Sequence, residues 1–308
     1  MINDGNLPDP AQCNQTGVLQ MPNTLIYAKT FSPYHYPKHL TPYLFLANFG
    51  NFGSYCLNGK NISINDRIFY FLNESDELEI NFGANTKLET LIILFNKQFF
   101  SDVYSYCKNT VDHLLENRTY DIQENLRLPE VPFIYSEEIR LSTRRILTNQ
   151  SCDKLSLDQH YFDLLFDLLQ YNKKSNEEIC RLSAKKRSTR EELYKRITMA
   201  KIFIEDNLCT TVSIEEMAAE ACLNKFHFLK LFKSCFGITP HRYLQKLKME
   251  KSTELLSTGK FSVGEVCRIL GFESHGSFNN LYRKFYGVAP SHFMCSSRYK
   301  ARNHSSNR

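Results

Sequence analysis

Residues 231–240 read LFKSCFGITP, and residues 281–290 read LYRKFYGVAP. The same apolar, basic and aromatic pattern, closing on Gly-x-x-Pro, is written twice. Working outward, SIEEMAAEACLNKFHFLKLFKSCFGITPHRYL from Ser213 aligns with SVGEVCRILGFESHGSFNNLYRKFYGVAPSHF from Ser262. The offset is 49 at Ser213/Ser262 and Glu216/Glu265 but 50 at Phe228/Phe278 and Gly237/Gly287, so the second copy carries one extra residue in its central turn. Each copy opens on an S-x-x-E capping box, in which hydroxyl and carboxylate satisfy each other's orphan backbone donors. Each then implies a short helix, a turn and a longer helix stopped by a glycine, which can take the left-handed position that ends a helix. Two helix-turn-helix units are predicted.

The longer helices separate into two faces. Phe228, Leu231, Phe232, Cys235 and Phe236 follow the i, i+3, i+4, i+7, i+8 stripe of a core-facing side, as do Phe278, Leu281, Tyr282, Phe285 and Tyr286. The opposite faces hold Phe226, Leu229, Lys230 and Lys233 in the first copy, and Gly276, Asn279, Asn280 and Arg283 in the second. Asparagines suit adenine edges, arginine and lysine suit guanine or phosphate, and apolar atoms suit thymine methyls, so these faces fit the major groove of a duplex.

The last ~100 residues resemble the AraC/XylS-type DNA-binding domain of bacterial transcriptional regulators. The likeness rests on YKRITMAKIFIEDN as a leading helix, SIEEMA with LNKFHFLKLFK, the linking FGITPHRYLQKLKMEKSTELL, then SVGEVCRILGFES, FNNLYRKFYG and VAPSHF. The resemblance implies two units sharing a linking helix and placing their second helices in successive major grooves. It makes Phe226, Leu229, Lys230, His275, Gly276, Asn279 and Asn280 the base readers; Lys233 and Arg283, one turn further along the same helices, are expected from their position to reach phosphates. Three positions depart from the family pattern. Cys222 stands where a turn glycine is common and where the second unit has Gly271, Gly276 offers no contacting side chain, and Asn280 replaces a frequent arginine.

Composition agrees with a polyanion partner. The chain of 308 residues carries a net +5, yet residues 1–185 are net −5 and residues 186–308 net +10. The start, MINDGNLPDPAQCNQ, lacks a secretory pattern, and the apolar runs IFYFL and LIILF fall far short of the ~18 residues of a membrane span. A cytoplasmic protein without a membrane partner is expected. The ten cysteines form no CxxC pair, so reduced thiols are expected, with no metal and no cofactor.

Ahead of the repeat, TLIYAKTF, PYLFLANF, SYCLNG, NISI, RIFYFL, ELEINF and LETLIILF are short β-rich runs separated by turns such as Asn58-Gly59. They predict an antiparallel sheet or small barrel, followed by helices over KQFFSDVYSYCK, SEEIRLSTRRILT and SLDQHYFDLLFDLLQY. In the last of these, Leu157, Tyr161, Leu164, Leu168 and Tyr171 form one seam, suited equally to packing on the domain's own strands or to a dimer contact. Tyr43, Phe45, Tyr55, Phe69 and Phe71 either fill the strand domain or line a ligand cavity. No histidine lies between Leu40 and Asp112, and Pro37 breaks the helical spacing of His35 and His39, which argues against a metal-dependent enzyme.

The expected architecture is α+β and multidomain. Residues 1–173 form a cupin-like small β-barrel with trailing helices for sensing or dimerisation, residues 174–187 a linker, and residues 188–308 an all-α double helix-turn-helix opened by a capping box at Ser188 and Glu191. The expected function is sequence-specific binding of double-stranded DNA in transcription regulation, without catalysis. RNA polymerase and a small effector are candidate partners, and the chain is a monomer or homodimer. The rival reading, a DNA-repair methyl-transfer protein with the same domain, needs clustered thiolates that Cys13, Cys56, Cys107 and Cys152 do not supply by spacing.

Overall fold

The computed structural model describes residues 2–3, 22–30, 33–50, 54–83, 88–108, 128–149 and 153–294. The chain forms two compact units, Met1–Cys180 and Arg181–Arg308. Cys13, Cys152 and Asp112 lie outside the described residues.

The first unit contains strands β1 (Ile2–Asn3), β2 (Thr24–Thr30), β3 (Tyr34–Leu40), β4 (Tyr43–Asn48), β5 (Ser54–Leu57), β6 (Lys60–Ile62), β7 (Ile68–Leu72), β8 (Glu77–Phe82), β9 (Leu88–Phe95) and β10 (Phe133–Ile134). Its helices are α1 (Lys97–Lys108), α2 (Glu137–Thr148) and α3 (Lys154–Cys180). The strands do not close one barrel among the described residues. They make a six-stranded sheet ordered β1-β2-β9-β4-β7-β10 and a four-stranded sheet ordered β3-β8-β5-β6. Alternating inward residues look the same in a barrel and in two packed sheets, so sequence periodicity could not separate them.

β4 and β7 are apolar without alternation because the larger sheet is covered on both faces. Leu44 to Ala47 and Ile68 to Leu72 are all buried. On one face Tyr43 stacks on Phe100 of α1 at 3.7 Å between ring centres, Phe95 meets Tyr161 of α3 at 6.5 Å, and Phe133 meets Tyr171 at 5.6 Å. The α3 seam therefore packs on its own domain. Phe45, Tyr55, Phe69 and Phe71 are buried and half-buried Tyr43 is stacked, so these aromatics fill the strand domain.

Two local features differ from the expectations. YHYPKHL, left out of the expected β-rich runs, is a strand, and its pairing with β8 shifts register between Tyr36 and His39. Pro37 sits in that irregularity on an edge strand, where a missing N–H costs little. His39 is half-buried, its ring 4.3 Å from that of Tyr36, and burial holds its imidazole below the usual range. Secondly, α3 continues to Cys180 through residues assigned to the connection, because Asn172, Ser175 and Ile179 prolong its buried stripe.

The second unit is helical: α4 (Arg187–Asp206), α5 (Ile214–Glu220), α6 (Lys225–Phe236), α7 (Pro240–Ser257), α8 (Val263–Ile269) and α9 (His275–Tyr286). The capping box expected at Ser188 is absent. The N-cap lies two residues earlier, at Lys186, with no side-chain cap, while the Glu191 carboxylate takes a 2.8 Å bond from Arg187 Nε. No helix among the described residues is long and apolar enough to cross a membrane.

Candidate nucleic-acid interface

The two halves of the second unit are built from the same local bonds. Ser213 Oγ accepts from the Glu216 N–H at 3.2 Å while Glu216 Oε2 accepts from the Ser213 N–H at 2.8 Å. Ser262 and Glu265 repeat this at 3.3 and 2.7 Å. These donors hold both carboxyls below the usual carboxylate range. In the first turn the Leu223 N–H bonds the Ala218 carbonyl at 3.0 Å, and in the second the Phe272 N–H bonds the Cys267 carbonyl at 3.1 Å. Gly271 takes φ +65° there, and Cys222 adopts the same left-handed conformation at φ +50° despite its Cβ.

The outer helices start and stop alike. Asn224 Oδ1 caps α6 by accepting from the His227 N–H at 2.9 Å, and Ser274 Oγ caps α9 by accepting from the Ser277 N–H at 3.1 Å. Gly237 and Gly287 end them at φ +76° and +75°. The added residue of the second copy falls between Phe272 and Ser274, lengthening the turn without disturbing either cap.

Burial separates the faces as the spacing implies, with one exception. Phe228, Phe232, Cys235, Phe278 and Tyr282 are fully buried and Leu231 nearly so, while Phe236, Leu281 and Phe285 are half-buried. Tyr286 is instead 39% exposed. It stands at the last turn of α9, where the stripe runs out beside Gly287 and the rings of Tyr282, 4.8 Å away, and Phe285, 6.4 Å away, cover it in part.

Opposite that core, Phe226 is 82% exposed, Lys230 and Lys233 are exposed and Leu229 is half-buried. On α9, His275, Gly276, Asn280 and Arg283 are exposed and Asn279 is half-buried. Lys230, Lys233 and Arg283 form no ion pair among the described residues. An exposed phenylalanine beside unpaired cations costs solvation with no intramolecular return. Bases and phosphates would supply that return.

Reading single faces misses two neighbours. Lys225 opens α6 exposed, but its Nζ lies 2.6 Å from Glu215 Oε1 on α5. Its counterpart His275 lies over Gly264 of α8. On the flank of α9, Arg242 and Lys284, with Gln245, Leu281 and Phe285, line a cleft of about 290 Å³. The 50-residue offset would have found the first pair, whereas the cleft depends on how α7 and α9 pack.

Residues 217–295 match a family described as a helix-turn-helix domain. The chain is 31% identical over 106 residues to the "Probable transcriptional regulator LumQ" of Photobacterium leiognathi, covering 34% of this chain and 43% of that protein. It is 32% identical over 89 residues to the MmsAB operon regulatory protein of Pseudomonas aeruginosa, covering 29% of each. The chain thus spans less than half the length of these two relatives. Among solved structures, a probable AraC family transcriptional regulator from Rhodopseudomonas palustris is similar at 23% identity and a TM-score of 0.32, over 33% of this chain and 96% of that one. The helix-turn-helix family match over residues 217–295, borne on two capping boxes, two left-handed turns and two glycine stops, makes the C-terminal part of the chain an AraC-type helix-turn-helix domain.

Proposed function

We propose that this chain is a cytoplasmic, sequence-specific regulator of transcription that binds double-stranded promoter DNA through α6 and α9 and catalyses no reaction. The observation that carries the reading is the pair of equivalent exposed faces. Phe226, Leu229, Lys230 and Lys233 on α6 and His275, Gly276, Asn279, Asn280 and Arg283 on α9 include amides and cations that find no ion-pair partner among the described residues. α7, with 18 residues at 1.5 Å each, spans about 27 Å, the order of one turn of duplex, about 34 Å. Two grooves on one side of DNA are within reach. Asn279 and Asn280 then read base edges, and Lys233 and Arg283 hold phosphates. The first unit serves as the sensing or dimerisation part. Its two packed sheets with trailing helices fit a cupin-like arrangement, a small effector is its candidate ligand, and RNA polymerase is the candidate partner of the bound complex.

Selection from a randomised duplex library tests the reading. The expected product is a site with two conserved halves about 10 base pairs apart. Retention of all sequences equally would contradict it.

A further inference from the structure

Lys248 sits inside α7, the helix shared by the two helix-turn-helix halves of the second unit, and is only 8% exposed with no carboxylate partner among the described residues. Its Nζ donates to the Thr210 carbonyl at 3.3 Å, in the loop that leads into α5 of the first half. The same ammonium lies 5.3 Å from the centre of the Phe272 ring, in the turn of the second half. Around it the two halves meet backbone to backbone, since a Cβ on Gly271 would stand 3.0 Å from the Cys209 carbonyl oxygen. Phe272 in turn packs on Phe278, 5.2 Å between ring centres, the first buried ring of α9. One lysine thus touches the entry to the first half and, through a single ring, the seat of the second reading helix.

As a source of stability this is a poor use of a side chain. Burial pushes the ammonium below the usual lysine range, and one carbonyl and one ring face replace a full hydration shell. Methionine, unbranched and of similar length, would occupy the space without that desolvation. What methionine lacks is direction, because the ammonium must satisfy an oxygen on one helix-turn-helix half and a ring face on the other together.

We infer that Lys248 is a positioning residue that ties the Thr210 loop to the Phe272 turn and thereby fixes the separation and angle at which α6 and α9 meet one duplex. The inference rests on the DNA-binding reading above and adds to it a source of spacing selectivity that touches no base. Inserting one base pair between half-sites rotates one against the other by about 34°. A rigid pair of helices resists that change and a loosened pair follows it.

The test uses the full chain and the duplex selected by the wild type. Binding is measured to that duplex, to versions with one or two base pairs inserted or deleted between the halves, and to versions with either half scrambled. The wild type is expected to lose about tenfold or more on insertion. Lys248→Met, and Phe272→Leu, which removes the ring face but keeps apolar volume, are expected to lose less than about threefold on insertion while binding each single half as the wild type does. A spacing penalty unchanged in the variants would overturn the inference, as would an equal loss on every duplex, which would put Lys248 in the reading surface or the core. Should Lys248→Met not fold, Phe272→Leu decides alone. If the wild type selects no duplex, the DNA-binding reading fails first, and separately.

Discussion

His275 rests on Gly264 so closely that a Cβ at residue 264 would lie 2.8 Å from His275 Cε1. The equivalent pair in the first helix-turn-helix half is Lys225 and Glu215, joined by an ion pair of 2.6 Å. In both halves the first residue of the outer helix leans on the second residue of the inner one, by ring contact in one case and charge in the other. Gly264→Ala should move the His275 ring, because the atoms in the way are the end of a flexible side chain. Alanine in a helix gains about 0.5–1 kcal/mol over glycine, so thermal stability should hold or rise while base preference changes in one half of the site. A variant with unchanged preference would remove His275 from the readers.

Glu215 neutralises Lys225 beside the proposed interface. Glu215→Gln should release that cation, strengthen binding to all duplexes alike and steepen the log-log salt dependence by up to about 0.9. Salt titrations against specific and scrambled DNA check it. An unchanged slope would show that Lys225 faces no phosphate.

The boundary of the second unit is set by contacts of Arg181. Its Nη1 donates to the Cys235 carbonyl at 3.2 Å, near the end of α6, its own carbonyl accepts from Ser234 Oγ at 2.8 Å, and Leu182 beside it is buried. A fragment of residues 188–308 should therefore be less stable than one of residues 181–308 by about 2–4 kcal/mol, from one lost leucine and two hydrogen bonds. Urea midpoints measure the difference. Coincident midpoints would show that the segment contributes nothing.

Cys222 and Gly271 make opposite predictions at equivalent positions. A non-glycine residue in the left-handed region costs about 1–2 kcal/mol, and glycine returns about 0.4–1 of that through the unfolded chain. Cys222→Gly should stabilise by up to about 1 kcal/mol. Gly271→Ala should lose at least 1–2 kcal/mol, because its Cβ would also meet the Cys209 carbonyl. Equal effects of the two substitutions would refute the assignment.

The reach of sequence reading follows from how local each signal is. Ser213/Glu216, Ser262/Glu265, Gly237 and Gly287 act within four residues of themselves, and duplication confirmed their spacing. Ser188 and Glu191 carry the same letters, but Arg187 competes for the carboxylate and shifts the helix start. The buried stripes of α6 and α9 were legible until Tyr286, where the cover ends. Whether the strands closed a barrel depended on which strands pair, and inward alternation is silent on that. Lys248 gave no signal at all, since a lysine in a charged helix looks solvent-exposed until Thr210 and Phe272 are brought to it.

The central claim is that one side of each outer helix reads bases while its next turn holds the backbone. Asn280→Ala and Lys233→Ala, measured against a randomised site library at two salt concentrations, test it most directly. Asn280→Ala should lose about 1–3 kcal/mol at one or two base pairs of one half-site and leave the other half as selective as before. Lys233→Ala should weaken every sequence by a similar factor and make the salt slope shallower by about one, because it removes a released counterion and no base contact. Uniform loss from Asn280→Ala, or changed base preference from Lys233→Ala, would contradict the account.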